Sequence, residues 1–407
     1  MSPILAERYD AVLVDLDGVM YRGDEPVAGS GAVVDKVRAL GVPVLFLTNN
    51  SSRTPEAVAA KLETMEVSAR PEEILTAAVA TAVMLEEEGA SGQTAFVVGE
   101  EGITTALAKA GISVARGEPQ NVDLVVVGID RSANYAKLRT ASLLVERGAR
   151  LIATNGDGSY PAPDGLWPGA GALLAAIVAT TGAAPLVVGK PSRPLFEAAQ
   201  QVTGARAPLV VGDRLDTDVA GAAGMGWDSL LVWTGASEPS ELIRAAQLPT
   251  YVGSDISVLL HDVLPARFRA ASEGDVQRIA GLLAASGLNA AGTDQRLSST
   301  LVSVDDDRVT ATACVEDFRT TGLLRSVAVR RDLRGQGLGL LVVAAALQEA
   351  RRRGIHEVAL FTESAAPFFE RMGFRRVERT DLPASVHESA QATGECPASA
   401  AAMRLEL

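Results

Sequence analysis

From residue 11 to about residue 232 the chain repeats one pattern, a short run of Val, Ile and Leu followed by an amphipathic stretch. The runs are AVLVD, PVLFLT, TAFVVG, DLVVVGI, RLIATN, PLVVG, PLVVGD and SLLVW. Several are apolar at every position rather than at alternate ones, and a strand needs that only when both its faces are covered. Strands of this kind alternating with helical stretches predict a parallel sheet layered between helices, an α/β fold. At RALGVP and KAGIS a glycine stands where a helix must stop before the next strand begins.

A different pattern begins near Leu264. The segment LPARFRAASEGDVQRIAGLLAASGL reads as a strand, an Asp275 region that opens a helix, and the helix itself. LVSVDDDRVTATACV then reads as a hairpin whose acidic turn separates two β-rich runs. The segment PSELIRAAQLPTYVGSDISVLLHDV is expected to close the first unit, and HESAQATGECPASAAA to form a loop. A chain of 407 residues with 47% apolar content can fill more than one core.

The formal charge of −13 argues against a nucleic-acid binder, which needs clustered Lys and Arg. Two cysteines, Cys314 and Cys396, are too few for a disulfide framework and read as packing residues. No apolar run approaches the length of a membrane span, and MSPILAERYD lacks the makings of a secretory leader, so a cytoplasmic location is expected. The sequence fixes no oligomeric state, and a homo-oligomer is compatible with it.

Four polar stations follow strand candidates: DLDG (15–18), TNNSSR (48–53), GKPS (189–192) and GDRLDTD (212–218). Open α/β sheets build their sites at these carboxyl ends. Asp15 and Asp17 project to one side of an extended chain. Like charges so close resist joint ionisation unless a cation or a reaction involves them. Asp213 and Asp218 add oxygen ligands suited to a hard cation such as magnesium. Thr48 offers a hydroxyl, the amides after it can point inward, and Lys190 supplies positive charge, which together fit a phosphate. Phosphoryl transfer needs an in-line nucleophile, a cation and fixed donors, and a carboxylate is a competent nucleophile. A Walker-type loop is excluded, because VVGKPS lacks the spaced glycine and carries Pro191 where Ser or Thr is required.

DLDGVMYRGDEPVAG, LTNNSSR, GKPS and GDRLDTDVAGA, in this order, resemble the haloacid dehalogenase (HAD) superfamily, and within it the phosphatases of the NagD and phosphoglycolate or glycerol-phosphate type. The resemblance implies a Rossmann-like HAD core at 1–76 and 186–264 with an inserted α/β cap at 77–185. It implies Asp15 as nucleophile, Asp17 as general acid and then base, Thr48, Asn49 and Lys190 as holders of the phosphoryl group, and Asn50 as a further substrate-binding residue. Magnesium is implied on Asp15, the backbone carbonyl of Asp17 and Asp213, supported by Asp218. In the cap segment ATNGDGSYPAPDGLWPGAG, Asn155 and Asp157 are candidates for contact with a hydroxylated substrate.

LLRSVAVRRDLRGQGLGLLVVAAALQEARRRG carries a strand ending at Val329, a glycine-rich loop and a helix, and amides exposed at a helix start form an anion site. RGQGLG, with HEVALFTESAAPFFERMGFRRVER after it, resembles the GCN5-related N-acetyltransferases (GNAT), which implies a GNAT-like α+β domain at 265–407. Acetyl-CoA would then lie against Val327, Val329, Arg334, Gly335, Gln336, Gly337 and Gly339. The strand before the loop offers no carboxylate for an amine proton; Glu316 and Glu363 are the substitutes, each reading more simply as a surface or loop residue. His261, His356 and His387 read as solvent-facing.

The reading is therefore a magnesium-dependent phosphatase of a small phosphorylated metabolite, of the glycerol 3-phosphate or 2-phosphoglycolate type, joined to an acetyl-CoA-binding domain. The alternatives are an N-acetyltransferase of a small amine or amino acid with an auxiliary front half, or a phosphatase regulated by a CoA-sensing module.

Overall fold

The computed structural model describes residues 3–162, 164–387, 389, 397 and 399–407. The chain divides into two compact units, Met1–Gly235 with Asp255–His261, and Ala236–Ser254 with Asp262–Leu407. Within the second unit Leu242 and Ile243 are buried, and Gln348 Nε2 donates to the carbonyls of Leu242 at 2.8 Å and Ala245 at 3.0 Å.

In the first unit, strands Asp228–Val232, Leu209–Gly212, Val12–Asp15, Val44–Thr48 and Ile74–Thr76 lie side by side in that order, all parallel. Val14 pairs with Phe46 and Val211, so Asp15, Thr48 and Gly212 emerge at one edge of the sheet. The insertion builds a second parallel sheet, in the order Leu186–Val187, Arg150–Ala153, Leu124–Val127, Thr94–Val98 and Ser113–Val114. Leu186–Val187 thus joins the inserted sheet rather than the first one. Val125 and Val127 enter a cluster with Leu144, Leu174 and Ile177, whereas Leu124 and Val126 enter one with Leu107 and Leu75. Both faces are covered, as a run apolar at every position requires.

The second unit holds a seven-stranded sheet in the order Arg269–Ala270, Thr300–Asp305, Arg308–Phe318, Thr321–Val329, Glu357–Thr362, Ala401–Glu406, Arg375–Val377. The acidic turn is a two-residue connection with Asp306 and Asp307 at φ of 43° and 63°. Two left-handed residues match the right-handed twist of the flanking strands. Thr321–Val329 and Glu357–Thr362 are parallel, and their pairing stops at Leu323 and Ala359 although both strands continue. Helix Leu338–Arg352 follows the glycine loop. The loop expected at HESAQATGECPASAAA falls mainly on residues outside those described, as does Cys396; Cys314 is buried. The three histidines are exposed. Among the described residues no helix is long and apolar enough to cross a membrane.

Asp275 opens helix Val276–Ala285 as the sequence suggests. Its carboxylate accepts from the Ser272 amide and hydroxyl, at 2.8 and 2.7 Å, and from both Arg269 guanidinium nitrogens, at 2.7 and 3.0 Å. The Arg269 hydrogen bonds hold this carboxyl below the ordinary carboxylate range. A depressed folded-state pKa gives stability that is present above the unfolded value and is lost as pH falls toward the folded one. Asp275→Asn is expected to cost about 1–2 kcal/mol at neutral pH and to flatten the acid limb of the stability profile, measured by denaturant unfolding from pH 7 to pH 3.

Candidate active site

Asp15 ends its strand with its side chain almost enclosed, at 8% exposure, and Gly18 turns the chain at φ +82°. The glycine is required for space as well. A Cβ on Gly18 would stand 2.3 Å from Asp213 Oδ2, and one on Gly235 would stand 1.9 Å from the same atom. Asp218 is seated likewise, since a Cβ on Gly212 would lie 2.2 Å from its Cγ. Asp218 is carried by the turn Leu215–Val219, where it accepts from the Arg214 amide at 3.2 Å. Asp15, Asp213 and Asp218, all buried, each offer one carboxylate oxygen within 4.8 Å of the others.

Lys190 reaches into this cluster, its Nζ 2.6 Å from Asp15 Oδ1 and 2.7 Å from Asp218 Oδ1. Burial raises the Asp15 carboxyl well above its ordinary value, Lys190 opposes that, and Asp218 and Asp213 add to it. For Lys190, burial disfavours the ammonium, but the two carboxylates outweigh burial and hold the charge. Three carboxylates against one ammonium leave a formal excess of two negative charges. A divalent oxygen-seeking cation balances that excess, so the donor set fits one.

The loop after Val44–Thr48 ties the two sheets of the unit together. Lys190 N donates to Asn49 Oδ1 at 2.8 Å, and Asn49 Nδ2 returns to Lys190 O at 3.1 Å and to Asp157 Oδ2 at 3.2 Å. Asn155 Nδ2 donates to Asn49 O at 2.9 Å, while Asn155 Oδ1 is buried with no hydrogen-bond partner among the described residues. Thr48 Oγ1 accepts from the Asn50 amide at 3.1 Å. Asn50 Oδ1 accepts from the Ser52 amide at 3.0 Å and its hydroxyl at 2.7 Å, so the Asn50 side chain shapes the loop. The same loop runs into helix Pro55–Glu63, which Thr54 caps by accepting from Ala57 N at 3.3 Å.

Asp17 differs from Asp15 in standing open to solvent. Crowding by protein atoms on its other sides still raises its carboxyl, with Lys61 and Lys190 opposing. Tyr21 lies within the DLDGVMYRGDEPVAG run, whereas Lys61, 40 residues further on, belongs to none of the four stations.

In the second unit, the glycine loop lies between Val329 and helix Leu338–Arg352, with Gly335 and Gly337 at φ of 85° and 80°. Arg334 Nε donates to Val329 O at 3.1 Å. A Cβ on Gly337 would meet Val252 Cγ2 at 1.9 Å, so this glycine is a packing requirement. A cleft of about 480 Å³ beside the loop is lined by Leu282, Ser286, Arg330, Arg331 and Arg334 among others. Glu316 is paired with the buried Arg325 at 3.1 Å, and Glu363 is exposed.

Residues 12–113 match the haloacid dehalogenase-like hydrolase family, 187–259 a second HAD hydrolase-like model, and 277–374 the acetyltransferase (GNAT) family. The acid sugar phosphatase of Staphylococcus haemolyticus is 38% identical over 259 residues, 63% of this chain and 97% of that protein. The structure of a glycerol phosphate phosphatase from Mycobacterium tuberculosis in complex with magnesium is similar over 91% of this chain and 99% of that one, at 28% identity and a TM-score of 0.73. A p-nitrophenyl phosphatase from Archaeoglobus fulgidus is 32% identical and covers 62% of this chain and 98% of its own, with a TM-score of 0.58.

If the carboxylates hold a divalent ion, magnesium must stabilise the fold by mass action, by about 2.7 kcal/mol at one hundred times its dissociation constant. The melting temperature is expected to rise with added magnesium and to fall back with chelator, and Asp213→Asn to remove most of the rise; an equal rise in the variant would place the ion elsewhere.

Proposed function

We propose, because the chain belongs to the haloacid dehalogenase-like hydrolases and carries a GNAT acetyltransferase domain after them, that its phosphatase unit hydrolyses a small phosphorylated polyol or sugar through a covalent phosphate on Asp15. The observation that carries this reading is the convergence of Asp15, Asp213 and Asp218 around Lys190. The names of the similar proteins, an acid sugar phosphatase and a glycerol phosphate phosphatase, support the substrate class.

In this reading an Asp15 oxygen attacks phosphorus in line with the ester oxygen, and the P–O bond to the alcohol breaks as the Asp15–O–P bond forms. Asp17, open to solvent, gives its proton to the departing alkoxide. The resulting carboxylate then takes a proton from water as that water attacks the phosphorus, releasing phosphate and restoring Asp15. Lys190 holds the phosphoryl oxygens and offsets charge that grows on them. Asn49, bonded on both sides of Lys190, fixes where that charge sits. Asp15, the Asp17 carbonyl and Asp213, backed by Asp218, would hold magnesium, whose bound charge would orient the phosphoryl group and reduce its repulsion from Asp15.

The insertion acts as the cap, with Asn155 and Asp157 at its contact with the Asn49 loop. The unpartnered Asn155 Oδ1 suits a substrate hydroxyl as donor. Phosphate release from a panel of metabolite monoesters is expected to favour polyol or sugar phosphates and to fall by roughly 10³-fold or more in Asp15→Asn with the fold intact. Unchanged release would end the reading.

The second unit is read as a coenzyme A-binding module. Arg325 engages Glu316, which supports binding without amine acetylation. Acetyl-CoA is expected to bind calorimetrically, to weaken about tenfold in Arg334→Glu, and to release no thiol when amines are added. Rapid amine-dependent release would favour an acetyltransferase instead.

A further inference from the structure

The family resemblance implies Asn49 at the phosphoryl group and Asp157 at a substrate hydroxyl, but the structure turns these two side chains toward each other. A side-chain amide nitrogen has two hydrogens. Those of Asn49 Nδ2 go to Lys190 O at 3.1 Å and to Asp157 Oδ2 at 3.2 Å, while Asn49 Oδ1 accepts from Lys190 N at 2.8 Å. The Asn49 side chain therefore keeps no hydrogen for a phosphoryl oxygen.

Asp157 is seated from behind by helix Ala170–Thr181. Gly171 N donates to Asp157 O at 2.9 Å, and Gly169 N donates to Gly158 O at 3.0 Å. Two glycines make that seat possible: a Cβ on Gly169 would stand 2.3 Å from Asp157 O, and one on Gly171 would stand 2.2 Å from Gly156 O. Further ties join the insertion to the Asn49 loop. Asn155 Nδ2 donates to Asn49 O at 2.9 Å, and the buried hydroxyls of Ser51 and Thr154 are 2.8 Å apart. Gly189 completes the fit, since a Cβ there would lie 2.6 Å from Asn49 Oδ1. The insertion thus grips the loop at Asn49 and Ser51, and Asn49 grips the backbone of Lys190 on both sides.

We propose that Asp157 and Asn49 are positioning residues that act through Lys190: Asp157 anchors the Asn49 amide, and that amide clamps the Lys190 backbone so that the ammonium stays between Asp15 and Asp218. Both roles rest on Lys190 being the cation of the proposed phosphoryl transfer. A lysine carries its charge on a flexible four-carbon stem, so placing the charge begins with fixing the backbone that bears it. Fixed charge stabilises a transition state most when nothing has to rearrange as the reaction proceeds. A residue that touches a substrate hydroxyl acts only on substrates that carry one. A residue that places Lys190 acts on the phosphoryl group common to all of them.

The test measures kcat/KM on two monoesters, glycerol 3-phosphate, which carries hydroxyls, and p-nitrophenyl phosphate, which carries none. Asp157→Ala is expected to lower both by about tenfold, and to the same extent. Asp157→Asn, whose amide oxygen can still accept from Asn49, should recover most of that loss. Asn49→Ala is expected to lower both by about tenfold or more. Adding Asp157→Ala to it should cost less than about a further twofold, because a residue that acts through Asn49 has nothing left to act on.

A loss confined to glycerol 3-phosphate, or losses that multiply in the double variant, would make Asp157 a substrate contact and overturn the proposal. Full activity in Asp157→Ala would overturn it too. Asp15→Asn is run beside these variants: if it leaves phosphate release unchanged, the phosphatase reading fails and the proposal falls with it. Melting temperatures identify any variant that has lost its fold; should Asn49→Ala be one, the comparison of the two esters in Asp157→Ala and Asp157→Asn decides alone.

Discussion

The crowding of three buried carboxylates around one lysine is the constraint on which the first unit is built. Asp15, Asp213 and Asp218 arrive from the ends of two neighbouring strands, and Lys190 arrives from the far side of the insertion. Such a cluster is costly to bury, because its mutual repulsion and lost hydration exceed what one ammonium returns. The surrounding backbone is shaped to keep it nonetheless: Gly18, Gly212 and Gly235 stand where any side chain would collide with Asp213 or Asp218. A site kept against its own electrostatic cost points to chemistry, and the proposed phosphoryl transfer uses each of these charges.

In the proposed reaction, the division between buried and open carboxylates gives the two aspartates of DLDG different work. Asp15, enclosed and paired to Lys190, has a fixed direction, as a nucleophile must. Asp17, at the open end of the turn, can exchange protons with an alcohol and with water, at the expense of rigidity. Asn49 holds Lys190, bonding its amide and its carbonyl at once while also reaching Asp157 of the insertion. In the proposed reaction, the seating of the insertion and the placement of charge thereby share one asparagine.

The strand-end aspartates were legible because local rules place them: an apolar run fixes the strand, and its carboxyl end fixes the edge of the sheet. The hairpin at Asp306 and Asp307 was legible for the same reason, since two residues of that type between β-rich runs specify the turn. What escaped depends on partners distant in sequence. Leu186–Val187 is apolar whichever sheet it joins, and two residues cannot declare which. In the second unit the glycine loop was legible as a pattern, whereas the packing of Gly337 against Val252 was not.

The most direct measurement is rapid acid quenching of the enzyme during turnover of a radiolabelled monoester, followed by peptide mapping of any phosphate that remains attached. The account predicts one hydroxylamine-labile phosphate in the peptide containing Asp15, at a level that rises and decays with turnover. Label on the Asp213–Asp218 peptide instead, or turnover with no covalent label at any quench time, would contradict it.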